Sequence, residues 1–78
     1  MNDKDFSYNI EKEIATIADY KDGTSLRLNL ISYRGTTAKY DLRKWDKATN
    51  RMLKGITFTE EEKDKIINAL TTLKGATV

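Results

Sequence analysis

Apolar and polar residues alternate in two segments of the chain, residues 26–30 and 38–43, with the two-residue period of a half-buried β-strand. Leu26, Leu28 and Leu30, for example, alternate with the polar residues Arg27 and Asn29. This pattern predicts a strand that runs through residue 30. Three further strands are predicted from alternation or from frequent β-branched and aromatic residues. The further predicted strands cover residues 10–20, 38–45 and 51–58.

Short polar segments separate these strands, as expected for tight turns between antiparallel neighbours. Residues 21–23 (KDG) and 34–36 (RGT) have turn-forming composition, and residues 46–50 form a polar loop. Gly55 interrupts the fourth predicted strand, and a glycine at such a position indicates a bulge or bend.

The period of the pattern changes at Thr59, where a helix is predicted to begin. Residues 59–62 (TEEE) match a capping box, in which the threonine hydroxyl and the last glutamate cap each other's backbone N–H groups. Gly75 is the predicted C-terminal cap. An apolar helix stripe follows at helical spacing. It consists of Ile66, Ile67, Leu70 and Leu73.

This order predicts an α+β fold: a curved four-stranded antiparallel sheet followed by a C-terminal helix. Residues 1–9 are expected to be a flexible lead-in, residues 10–75 the single domain, and residues 76–78 a tail.

Strand alternation assigns the side chains of the sheet to two faces. A leucine face is expected to form the core under the helix; it comprises Leu26, Leu28, Leu30, Tyr40 and Leu42. The opposite face, here called the basic face, comprises Arg27, Asn29, Ile31, Tyr33, Lys39, Arg43 and Trp45. Because one helix covers one face, the basic face is expected to be exposed or covered by a partner.

Composition narrows the possible functions. The 78 residues include no cysteine and no histidine, so the chain has no disulfide, no Cys- or His-based metal site and no histidine base. Asp41 alone could in principle hold Mg²⁺ in a nuclease, but pairing with Arg43 or Lys39 is the favoured interpretation. We therefore expect no enzyme activity, no cofactor and no metal.

A domain of this size is marginally stable alone, and a homodimer would supply the missing burial. The apolar helix stripe is interpreted first as core and second as the dimer interface. The N-terminal residues are polar, and no run approaches a membrane span of about 20 apolar residues. We expect a cytoplasmic, nucleoid-associated protein without a membrane partner.

Positive charge is concentrated in the middle of the chain. Residues 21–58 contain nine lysines and arginines against three aspartates, a net charge of +6. Cations that follow phosphates, combined with aromatic rings that stack on unpaired bases, favour binding to single-stranded nucleic acid. The alternative interpretation of Trp45 is packing in the core, and that of Tyr33 is packing across neighbouring strands. The alternative function is docking of a partner protein on the same face.

Three segments in order resemble the single-stranded-DNA-binding transcriptional coactivators known as the positive cofactor four family, and especially its short bacterial YdbC-type members. The segments are residues 33–35 (YRG), 40–45 (YDLRKW) and 54–61 (KGITFTEE). The resemblance implies the sheet-and-helix fold, dimerisation through the helix and sequence-independent binding of single-stranded DNA, with RNA a further candidate.

The resemblance also implies binding roles for particular residues. They are Tyr33, Arg34, Arg43, Trp45 and Lys54, and Arg27 and Lys39 are added because they share the basic face. Transcription, replication and repair all expose single strands, and the sequence identifies neither the process nor any protein partner in it.

Overall fold

The computed structural model describes residues 7–76, which form one four-stranded antiparallel sheet of order β1-β2-β3-β4 and one C-terminal helix. The elements are β1 (Tyr8–Asp19), β2 (Thr24–Tyr33), β3 (Lys39–Asp46), β4 (Arg51–Phe58) and α1 (Glu60–Ala76). The predicted α+β architecture is confirmed. Residues 1–6 of the predicted lead-in and 77–78 of the predicted tail lie outside the described residues.

Two element ends differ from the sequence prediction. Strand β1 begins at Tyr8, inside the predicted lead-in, because Tyr8 pairs with Tyr33 at the end of β2. Helix α1 continues through Gly75 to Ala76 instead of ending at the glycine. No helix in residues 7–76 is long and apolar enough to cross a membrane.

The turn between β2 and β3 forms where the sequence predicted it. Arg34 and Gly35 have φ angles of 54° and 75°, and the Thr36 N–H donates to the Tyr33 carbonyl at 3.0 Å. Two consecutive residues with positive φ are typical of a type I′ turn, whose twist matches that of the flanking strands. The arginine side chain is thereby placed at the exposed end of the sheet.

The capping box at the start of α1 is also confirmed. The Glu62 N–H donates to Thr59 Oγ1 at 3.1 Å, and the Thr59 N–H donates to Glu62 Oε1 at 2.8 Å. The helix start is tied to β3 because the Tyr40 hydroxyl donates to Glu60 Oε1 at 2.8 Å. These hydrogen bonds fix the position of the first turn of the helix relative to β3.

Gly55 lies beside a bulge in β4, as predicted. Arg43 is opposite Gly55, whereas Trp45 is opposite Met52, so β4 has one more residue than β3 in this interval. A Cβ atom on Gly55 would collide with Arg43 Cβ and lie 2.7 Å from both Arg43 Cα and the Leu42 carbonyl oxygen. Only glycine fits here without moving β3.

We expect Gly55→Ala to lower the free energy of unfolding by about 1–3 kcal/mol, the usual cost of overpacking. The colliding atoms belong to the backbone and Cβ of Arg43, so no flexible side-chain end can give way. Urea unfolding followed by circular dichroism measures the change. Thr37→Ala, an exposed substitution before β3, is the control and should change stability by less than about 0.5 kcal/mol. Equal stability of Gly55→Ala and the parent would contradict this packing.

The sheet is strongly curled, and the basic face is its concave side. Tyr8 is opposite Tyr33 and Trp45 is opposite Ser25, and the part of β2 from Ser25 to Tyr33 would span about 26 Å in a straight strand. Yet the ring centroids of Tyr8 and Trp45 are 6.3 Å apart. Register shifts at three places in β1 account for part of this curl, since bulges bend and twist a strand.

Because of the curl, the buried apolar side chains lie on the basic face and not on the leucine face. The buried apolar residues among those described are Ile31 and Trp45, both on the basic face. The buried polar residues are Ser25, Asn29 and Asp41, on the same face, and Ser32. The leucine face is only half-buried, and α1 packs on the sheet mainly at β3. The prediction of a leucine core under the helix was wrong for the single chain. The same holds for the core interpretation of the apolar helix stripe, which is exposed.

Candidate nucleic-acid interface

A continuous line of rings and one cation runs along the concave face. We call Tyr33, Tyr8, Trp45 and Arg27 the concave row. The Tyr8 ring centroid lies 6.3 Å from that of Tyr33 and 6.3 Å from that of Trp45, and Arg27 Cζ lies 5.4 Å from the Trp45 centroid. The row brings together three of the residues that the sequence assigned to binding, and it adds Tyr8.

Trp45 lies at the bottom of the concave face. Only 1% of its surface is exposed, with Arg27 over the ring and Tyr8 against it edge-on. Within residues 7–76 its buried Nε1–H has no hydrogen-bond acceptor. Direct stacking on a base requires an exposed ring, and the Trp45 ring is buried. Its position is that of a packing residue.

Arg27 is held in place by neutral groups. Its Nε donates to Ser25 Oγ at 2.8 Å, and one terminal nitrogen donates to Asn50 Oδ1 at 3.1 Å. Asn50 ends the loop between β3 and β4 with a φ of 57°. These two contacts orient the guanidinium over Trp45 without neutralising its charge, so Arg27 can still attract a phosphate.

Arg43 is engaged inside the protein. Its Nε and one terminal nitrogen donate to the two carboxylate oxygens of Asp41, each at 2.6 Å, and its other terminal nitrogen donates to the Leu53 carbonyl at 3.1 Å. Hydrogen bonding to Asp41 raises the pKa of Arg43. The pairing of Asp41 with Arg43 that the sequence favoured is confirmed, and this pair contributes no net charge to the face.

Tyr33 completes this buried cluster. Its hydroxyl donates to Asp41 Oδ2 at 2.6 Å, and Asp41 itself is fully buried. Burial is the main cause that raises the pKa of Tyr33 to about 12, and the hydrogen bond to Asp41 is the second. Tyr33 is therefore neutral and its ring is fixed, and both Asp41 oxygens accept hydrogen bonds from protein donors rather than facing a groove.

The other predicted binding residues lie further apart. Lys39 is exposed at the start of β3, opposite Ile31 on the basic face. Arg34 is exposed in the turn after β2, and Lys54 is exposed in the bulged part of β4. These cations lie at separate places on the sheet and do not form one cluster with the concave row.

A groove of about 410 Å³ lies between β1 and the concave row. Its walls include Ile14, Thr16 and Asp19 from β1, and Arg27 and Trp45 line it as well. The sequence assigned no functional residue to β1, because that segment matches the resembled family poorly. The aromatic residue at position 8, next to a β-branched and apolar segment, was the signal that could have extended the site.

The fold and this face define a small α+β protein with an aromatic and basic concave sheet. No family model matches the chain. It is 39% identical over 62 residues to a protein of Treponema pallidum (strain Nichols) that is described only as an uncharacterized protein; the match covers 80% of this chain and 72% of that one. The chain belongs to the same family as this treponemal protein.

Proposed function

We propose that this chain binds single-stranded nucleic acid, in the first place DNA, with little sequence preference and as a homodimer. The observation that carries the proposal is the concave row, in which aromatic rings lie beside a guanidinium that has no ion-pair partner among residues 7–76. Rings stack on any unpaired base, and cations follow the phosphates.

Charge around the row supports the same function. Lys39, Arg34 and Lys54 are exposed on the same sheet or its turns, and the segment that contains them has a net charge of +6. A curved face suits a flexible single strand better than a straight duplex. The resemblance to the coactivator family agrees with this function and suggests a place in transcription, replication or repair.

The homodimer is supported by apolar surface that the single chain leaves uncovered. Leu70 and Leu73 of the apolar helix stripe are each 59% exposed, and Ile56 on β4 is equally open. Together with the half-buried leucine face, these residues leave apolar surface uncovered on both the helix and the sheet, and uncovered apolar surface often marks an interface. A second copy would cover it symmetrically and leave both concave faces free.

The test is a titration with a labelled single-stranded 20-mer DNA, the matching blunt duplex and the matching RNA. We expect the single-stranded DNA to bind at least about tenfold more tightly than the duplex, and its affinity to fall with salt by a slope of about −0.7 for each phosphate contacted. Equal affinity for duplex and single strand, or no binding at about 50 mM salt, would overturn the proposal. Binding of RNA as tight as that of DNA would make the ligand single-stranded nucleic acid in general.

A further inference from the structure

The residues of the concave row differ in accessibility, and this difference identifies the ring that a base can reach. Trp45 is 1% exposed, whereas Tyr8 is 38% exposed although it contacts the same indole. On the basis of the function proposed above, we propose that Tyr8 is the principal base-stacking residue and that Trp45 supports it from below.

Neither neighbouring aromatic ring is stacked in parallel on Tyr8. Its plane makes an angle of 67° with the Trp45 ring and 47° with the Tyr33 ring. Neither neighbour is parallel to Tyr8, so neither covers a whole face of its ring. Stacking on a base requires such a face, and offset-parallel contact with an aromatic ring is worth more than the buried area alone.

Tyr8 is also held firmly enough to serve as a platform. It pairs with Tyr33 across β1 and β2, and the Arg34 N–H donates to the Ser7 carbonyl at 3.1 Å just beyond that pair. The Tyr33 ring beside it is fixed by the hydrogen bond to Asp41. A ring that is already ordered loses little freedom when a ligand binds.

Arg27 lies close enough to Tyr8 to contact the phosphate backbone of a nucleic acid whose base stacks on Tyr8. Arg27 and Tyr8 both contact Trp45, so a base on Tyr8 and a neighbouring phosphate at Arg27 can belong to one short stretch of strand. Paired bases present no free face to a ring, so this site selects unpaired nucleotides. The expected ligand is a polynucleotide single strand bound by stacking at Tyr8 and by charge at Arg27.

The experiment compares the parent protein with Tyr8→Ala, Tyr8→Leu and Tyr8→Phe in titrations with single-stranded oligo(dT). Stacking contributes about 1–3 kcal/mol per base, so Tyr8→Ala and Tyr8→Leu should weaken binding by roughly 5- to 150-fold without changing the salt slope. Tyr8→Phe keeps the ring and should bind within about twofold of the parent. Tyr8→Leu keeps apolar bulk against Trp45, so it tests stacking even if the alanine variant is poorly folded.

Tyr20→Ala is the matched control. Tyr20 is 36% exposed, close to the value for Tyr8, but its ring contacts Lys44 rather than the concave row. It should bind like the parent, and fluorescence of Trp45 should respond to oligo(dT) in the parent and in Tyr20→Ala. Binding by Tyr8→Leu within twofold of a binding parent would overturn the role of Tyr8 alone. Failure of the parent to bind would instead overturn the proposed function and this role with it.

Discussion

Replacing Arg43 with alanine should remove about 3–5 kcal/mol of stability, because it leaves a fully buried Asp41 carboxylate without its cation. A domain of this length is stable by only about 4–12 kcal/mol, so the variant should lose a large fraction of its stability and unfold at a much lower urea concentration than the parent. This differs from the sequence-based expectation for Arg43, which was a role in binding nucleic acid.

Urea unfolding and nucleic-acid titration together separate the two roles. Lys39→Ala is the matched control: Lys39 lies on the same strand and face but is exposed. It should change stability by less than about 0.5 kcal/mol and reduce the salt slope by about 0.7. An Arg43→Ala protein as stable as the parent, with only a reduced salt slope, would contradict the structural role.

A double variant checks the mechanism of the loss. Arg43→Leu combined with Asp41→Asn removes both charges, so no unpaired carboxylate remains in the core. We expect it to be more stable than Arg43→Leu alone, since replacing both partners of a buried pair is better tolerated than removing one. No recovery in the double variant would mean that Arg43 contributes through packing or through its bond to Leu53 instead.

Leu70→Glu should convert the proposed dimer into a folded monomer. Leu70 is 59% exposed in the single chain, so a carboxylate there costs the isolated fold little. In a helix-mediated dimer the same carboxylate would be buried without a partner, which is strongly unfavourable. We expect the dissociation constant of the dimer to rise by at least about 100-fold, equivalent to roughly 3 kcal/mol.

Sedimentation equilibrium over a range of concentrations, with circular dichroism to confirm folding, measures this effect. Thr72→Glu adds the same charge on the opposite side of α1 and should leave the dimer intact. A parent protein that is monomeric at micromolar concentration would contradict the dimer. An unfolded Leu70→Glu chain would instead show that folding and dimerisation cannot be separated.

The element order was predictable because each local signal acts within a few residues. Alternation in β2 and β3, the turn at residues 34–36, the capping box at Thr59 and the glycine bulge in β4 all depend on neighbours in sequence. The pairing of Asp41 with Arg43 was predictable for the same reason, since residues two apart in a strand lie on one face.

The inside of the curl was not predictable in this way. Alternation divides side chains between two faces, but it does not say which face becomes concave or how tightly the sheet bends. Trp45 is buried because the curl brings Tyr8, from the far end of the sheet, against it. No glycine or proline marks the irregularities of β1, so the sequence offered little sign of the bend.

The irregular path of β1 also affects self-association of the protein at high concentration. At twelve residues, β1 is a long outer strand whose unused backbone groups could template another chain. Its register shifts interrupt the straight row of donors and acceptors that an incoming strand must match, and its charged side chains oppose close approach. They are Glu11, Lys12, Glu13 and Asp19. The same distortions that close the concave face thus protect the protein against fibre-like growth along this edge.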